Sequence, residues 1–278
     1  MKKFYAFVMM AMMAMSANAY DQATEGQEIY GTASAKAIGL ADGTVAVYQF
    51  YTNGCFSNDT LYVPSTIQVW EGEGNDSHMT AEYEVSQVGT TWNPAIWVGE
   101  GETSNLAAVS TIVIAEGVKK IVQGAFTTWA DADNLKTVHL PASLTNIGAG
   151  AFSGCTGLQK IVCLAETAPV LDNPGWTDHF KTNSETLGWD YIMKNCKVYV
   201  PSEAAKETYN QQDDNWTYWG EFYKNENIVV DATIIPTAIS MVKEAKAENA
   251  AIYDLQGRRV VNAARGLYIQ NGKKFVQK

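Results

Sequence analysis

Apolar residues recur through the middle of the chain at a nearly fixed offset. A shift of 26 residues lays Val109 on Leu135, Ile112 on Val138, Ile114 on Leu140, Val118 on Leu144 and Ile121 on Ile147, and it also lays Gly124-Ala125-Phe126 on Gly150-Ala151-Phe152. A further shift of 23 lays Leu158, Ile161 and Cys163 on Leu135, Val138 and Leu140. Self-similarity with a period in the twenties is the mark of a solenoid. Within one period, Leu135-x-x-Val138-x-Leu140 predicts a short strand with inward residues at period two. Pro141 and Ser143 end it, Leu144 and Ile147 continue the inward series, Gly148 and Gly150 permit a bend, and Ala151-Phe152 plugs the coil. One coil cannot bury such a face alone, so neighbouring coils must stack and their strands form a parallel ladder. Two clear coils and one degenerate coil are few, which predicts substantial caps at both ends.

The pattern changes at both termini. Lys2 and Lys3 precede an apolar run from Phe4 to Met15, and Ala17-Asn18-Ala19 supplies small residues at a cleavage point. Residues 1–19 therefore read as a secretory signal peptide, with the mature chain starting at Tyr20. The run is shorter than the roughly 20 residues that cross a bilayer, so no membrane span is expected. At the other end, Ala251 to Val260 reads as strand, glycine turn and strand. Gly266 to Val276 reads as a hairpin about Asn271-Gly272, the strongest short turn signal.

The 278 residues are 46% apolar and 18% charged, with four cysteines, which excludes a disordered chain and a disulfide-dense mini-scaffold. Without the leader, 18 basic residues face 30 acidic ones, a net charge of −12. That sign argues against nucleic acid as a partner. The charge is uneven: residues 237–278 carry +5 and residues 20–236 carry −17, which predicts a boundary near Asp231 to Thr237. The expected organisation is thus a signal peptide (1–19), an N-terminal cap with an opening coil (20–108), a solenoid with its closing coil (109–230) and a small antiparallel β tail (231–278). Cys55, Cys155, Cys163 and Cys196 allow three pairings. Cys155 and Cys163 occupy repeat positions that suit buried thiols.

The segment Val138-His139-Leu140-Pro141-Ala142-Ser143-Leu144-Thr145-Asn146-Ile147-Gly148-x-x-Ala151-Phe152-x-x-Cys155-x-x-Leu158 closely resembles the BspA-like leucine-rich repeat found in many exported bacterial surface proteins. Cys163 to Pro169, and Val198-Tyr199-Val200-Pro201 with Tyr209, resemble that family's closing coil. Leu61 to Ile67 and Tyr83 to Gly89 resemble its opening cap. The resemblance covers about residues 60 to 230 and implies a β-rich solenoid with a role in adhesion. Two stretches depart from the regular coil: one with Trp92 and Trp97, the other with Trp176, His179, Trp189 and Tyr191. Such insertions are candidates for individual specificity. The tail resembles the end of the sorting domains that route proteins through the type IX secretion system.

No catalytic motif is found. His78, His139 and His179 stand in no metal or nucleophile pattern, and Asp131-Ala132-Asp133-Asn134 lacks the glycine and distal glutamate of a calcium loop. No cofactor or metal is implied, and the expectation is a protein that is not an enzyme. Strand alternation stacks Val113, His139, Val162 and Tyr199 in one outward row. Thr111, Thr137 and Lys160 form a second, and Ser110, Lys136 and Gln159 a third. This face either simply suits solvent or is a shallow binding surface. The function that follows is an exported binding protein, monomeric, at the outer surface or in the periplasm, contacting a host or matrix protein. The alternative is a carbohydrate-binding accessory that stacks sugars on Trp176 and Trp189.

Overall fold

The computed structural model describes residues 20–31, 35–51, 55–71, 77–90, 97–98, 109–127, 134–172, 180, 187, 190–210, 218–234, 252–253, 259–260, 266–270 and 273–277. The chain forms two compact units that divide between Thr237 and Ala238. The larger is a β-rich solenoid in which each coil supplies two strands.

The longer strand of each coil joins one ladder. It comprises β5 (Thr60–Val63), β9 (Thr111–Ile114), β11 (Thr137–Leu140), β13 (Lys160–Cys163), β15 (Lys197–Val200) and β16 (Ile228–Val230), parallel throughout, with β4 (Phe56–Ser57) antiparallel at the β5 edge. Each central strand alternates a β-branched or aliphatic residue inward with a polar or bulky one outward, as in Thr-Ile-Val-Ile and Thr-Val-His-Leu. The registers pair Ile112 with Val138, Val138 with Ile161, and Ile161 with Val198, so identical positions stack from coil to coil.

A second parallel ladder runs along the opposite wall, through the end of β7 (His78–Val88), β10 (Lys120–Ile121), β12 (Asn146–Ile147) and β14 (Val170–Leu171). The single ladder expected from sequence is therefore two. Strands of two residues carry no periodic signal, and the repeat register shows itself only when Val88, Ile121, Ile147 and Leu171 are seen stacked on one another. These residues face Leu61, Ile112, Val138, Ile161 and Val198 across one continuous core.

The caps extend these ladders. At the N-terminal end β1 (Glu28–Tyr30), β2 (Ala35–Gly39) and β3 (Val45–Phe50) form an antiparallel meander; β3 then runs parallel to β7, and β8 (Trp97–Val98) pairs with β3. The opening coil begins at β5. Before it reaches the second ladder it projects a hairpin, β6 (Thr66–Glu71) with the first part of β7. At the C-terminal end three short helices, α1 (Tyr191–Asn195), α2 (Glu203–Thr208) and α3 (Tyr218–Lys224), replace bends. Ser202 caps α2 by accepting from the Ala205 N–H, and it donates to Glu166 at 2.9 Å. The Asn227 amide, nearly buried, donates to the carbonyls of Met193 and Lys194.

Inside, the repeated Ala-Phe plugs build an aromatic column. Phe126 and Phe152 stack with centroids 5.2 Å apart, and Phe152 stacks on Phe180 at 5.6 Å. Trp219 and Phe222 close the column against Phe180, and the Trp219 indole donates to the Pro169 carbonyl at 2.8 Å. Each plug follows a glycine in the left-handed region, Gly124 at φ +68° and Gly150 at φ +62°, where a side chain would be strained. Cys55, Cys155, Cys163 and Cys196 are buried; the Cys155 thiol donates to the Phe126 carbonyl.

The smaller unit is an antiparallel sheet of β17 (Ile252–Tyr253), β18 (Arg259–Val260), β19 (Gly266–Gln270) and β20 (Lys273–Gln277), in the order β18-β17-β19-β20. β19 and β20 pair antiparallel from Gly266 with Gln277 to Gln270 with Lys273.

Candidate binding face

The registers arrange the outward residues of the long ladder into rows. Thr60, Thr111, Thr137, Lys160 and Lys197 stand in line; beside them run Tyr62, Val113, His139, Val162, Tyr199 and Val229. Ser110, Lys136 and Gln159 form a third row just before the strands. Their backbones continue the ladder, Lys136 donating to Ser110, Gln159 to Lys136 and Lys197 to Gln159 at 2.8–2.9 Å. Strands about 4.8 Å apart make a six-strand face roughly 24 Å long.

The face is uneven in exposure. Thr111, Val113, Thr137 and His139 are half-buried, and Lys160 and Lys197 are exposed. Val162, expected to lie open, is only 4% exposed. It sits between His139 and Tyr199 in its row, and these larger neighbours cover it, so it packs the face rather than presenting itself. Lys160 lays its ammonium over the Tyr199 ring, 4.8 Å from the centroid.

Electrostatically the face contrasts with the rest of the unit. Lys136, Lys160 and Lys197 bring positive charge to a region whose sequence is strongly acidic. Carboxylates stand at its two ends. Asp59 accepts from the Ser110 hydroxyl at one end. At the other, Asp231 is held below the usual carboxylate range, chiefly by the Thr233 hydroxyl, with Lys160 adding to the effect. Burial, followed by the nearby Lys160 charge, pushes the His139 imidazole below its ordinary value. The face therefore offers hydroxyls, aliphatic and aromatic surface and amines.

Trp176, His179 and Trp189, the candidate sugar platform, lie outside the described residues, as does Trp92. Among the described residues no group of three or more His, Cys, Asp or Glu side chains comes together as a metal site, and no helix is long and apolar enough to cross a membrane. Sequence reasoning missed Thr60, Tyr62 and Lys197 on this face. A further shift, of 51 residues, laying Leu61 on Ile112 and Val63 on Ile114, was the available signal for the first two.

The model of the BspA type leucine rich repeat region matches residues 99–170, and this segment is a repeat region of that type. No curated protein matches the sequence. Among solved structures, the chain is similar to a leucine rich cell surface protein from Faecalibacterium prausnitzii, with 18% identity and a TM-score of 0.35 over 65% of this chain and 46% of that one. It is also similar to the pneumococcal vaccine antigen PcpA, with 17% identity and a TM-score of 0.32 over 66% of this chain and 52% of that one. The chain thus spans about half the length of the solved structures it matches.

Proposed function

We propose that the protein is an exported, non-enzymatic binding protein of the outer cell surface that engages a host or matrix protein through the outward face of its long ladder. The observation that carries this reading is the face itself: a regular row structure with Lys136, Lys160 and Lys197 in an otherwise acidic unit. Such a patch draws in an acidic partner surface. BspA-type repeats supply the scaffold for such a role, and the lysine-headed leader and the basic, antiparallel tail fit export followed by sorting to the surface.

The test is binding of the purified protein to immobilised matrix proteins and mucin, with Lys136→Glu and Lys160→Glu as variants. Saturable binding that weakens about tenfold or more with either reversal, and weakens with salt, supports the reading. No binding to matrix proteins, mucin or intact cells, or binding indifferent to both reversals, defeats it. Protease treatment of intact cells tests the location: digestion without permeabilisation is expected, and removal of residues 238–278 is expected to leave the protein protected inside.

A further inference from the structure

A second cluster of binding chemistry lies on the N-terminal cap, away from the ladder face. In the β1-β2-β3 meander, Ile29, Ala35, Ala37 and Val47 point into the core, and Glu28, Tyr30 and Lys36 lie on the outer side. Tyr30 pairs directly with Lys36 across the strands. Regular alternation would leave the adjoining part of β3 out of step with them. Instead the register slips: Lys36 pairs with Gln49 and Ala37 with Val47, so Tyr48 is an extra residue in β3. A bulge of this kind sets two consecutive residues opposite one and re-aims a side chain. Phe50 keeps its place in the core, fully buried, while Tyr48 emerges half-exposed.

The result is a concentration of phenols around one carboxylate. Tyr30 is 54% exposed and donates to Glu28 at 2.5 Å. The Lys36 ammonium lies 5.5 Å from the Tyr30 ring centroid. Burial raises the pKa of the Tyr48 hydroxyl, and Glu28 and then Tyr51, both within electrostatic reach, add to the rise. Tyr30 feels Glu28 first, and Tyr48 and Tyr51 after it. The group carries one negative and one positive side chain, so it has no net charge with which to select an ion. It combines aromatic surface with a carboxylate and phenol hydroxyls. That pairing of ring faces with closely spaced donors and acceptors matches the apolar C–H face and vicinal hydroxyls of a pyranose.

We propose that Glu28, Tyr30, Lys36, Tyr48 and Tyr51 form a binding site for an uncharged sugar unit of a glycan. A ring of the glycan stacks on Tyr30 or Tyr48, and Glu28 accepts from its hydroxyls. The site is distinct from the ladder face and stands or falls without it.

The test is calorimetric titration and saturation-transfer NMR of the purified protein with cellohexaose, maltohexaose, mannohexaose and xylohexaose up to millimolar concentration. At least one is expected to bind, with saturation transferred to its ring protons. Tyr30→Ala and Glu28→Gln are each expected to weaken that binding by about tenfold, with the melting temperature unchanged. Tyr48→Ala could disturb the bulge. Tyr48→Phe keeps the ring and is expected to weaken binding a few-fold. Lys160→Ala, on the ladder, is expected to leave it as it was. Silence with all four oligosaccharides overturns the proposal, and so does binding that survives both Tyr30→Ala and Glu28→Gln. Binding of a sulfated oligosaccharide alone overturns it too, since the cluster would then be selecting charge.

Discussion

Glu116 of one coil holds Ser143 of the next, in a junction of four hydrogen bonds. Its carboxylate accepts from the Ser143 N–H at 3.1 Å and from the Ala142 N–H at 2.8 Å. The Ser143 hydroxyl accepts from the Gly117 N–H and donates to the Val118 carbonyl, both at 2.9 Å. The bend that follows the long strand has no ladder partner for these backbone groups, and the Glu-Ser pair supplies them. Glu166 holds Ser202 two junctions further along, in a simpler form. Replacing Glu116 by Ala leaves two N–H donors without their charged acceptor and is expected to cost about 1–2 kcal/mol, read from the urea midpoint. Glu116→Gln, which keeps an acceptor oxygen, should cost less. A variant as stable as the parent would mean that water replaces the carboxylate at no loss.

Gly148 marks the closest approach between coils. A Cβ there would lie 2.2 Å from the Gln123 nitrogen and 2.5 Å from the Val122 carbonyl carbon, both backbone atoms of the preceding coil. The Gly148 N–H bonds to the Ile121 carbonyl at 2.7 Å, so the two coils cannot separate without breaking the second ladder. Gly148→Ala is expected to destabilise by roughly 2–4 kcal/mol, an overpacking cost that no side-chain rotamer relieves. Thermal melts read that cost against the parent; Gly26→Ala, whose Cβ meets nothing within 4 Å but whose φ is +78°, reads left-handed strain without a clash.

What was legible in the sequence was the long ladder, because its inward positions recur with large aliphatic residues at one offset. That offset alone places Val138, Ile161 and Leu140 in the core. Phe180 escapes it. It continues the column begun by Phe126 and Phe152, yet it follows Phe152 by 28 residues and lacks the Gly-Ala prefix that marks the other plugs. Its place is set by the ring it stacks on rather than by its neighbours in sequence. The tyrosine cluster of the cap was hidden for a related reason. Tyr48 reaches the outer side through a bulge, which breaks the very alternation by which strand faces are read. Lys197 escaped notice because it lies far from Lys160 in sequence, across an insertion, although the two pair directly.

Among the described residues, one buried side-chain polar atom has no nitrogen or oxygen partner. Tyr209 is fully buried, and its hydroxyl lies against the Cys163 thiol. Burial pushes both groups up, Tyr209 well above the ordinary phenol range. A desolvated hydroxyl facing only a thiol contributes little, so Tyr209→Phe is expected to change stability by less than about 1 kcal/mol and to favour the folded state if it changes it at all. Phe152→Ala, by contrast, opens a hole between two stacked rings and should cost about 3–5 kcal/mol. Denaturation of the two variants side by side checks the contrast. A large loss for Tyr209→Phe would show that the contact with Cys163 is a strong hydrogen bond.

His139 ties the stability of the ladder to pH. Its imidazole is held below the ordinary value of 6.5, first by burial and then by Lys160. The unfolded chain therefore takes up a proton at a higher pH than the folded one. Stability from this site is complete above about 6.5, falls as the pH drops below it, and levels off once the folded imidazole is also protonated. Urea midpoints measured from pH 7.5 down to pH 5 should decline less steeply for His139→Gln than for the parent. The carboxylates and the other histidines supply a background common to both proteins. An acidic partner docked over Lys160 would offset the Lys160 charge and favour the protonated ring. Binding of such a partner should then tighten on mild acidification in the parent and not in His139→Gln. Identical pH slopes for the two proteins, in stability and in binding, would show that His139 is as well solvated as a free imidazole and takes no part in the face.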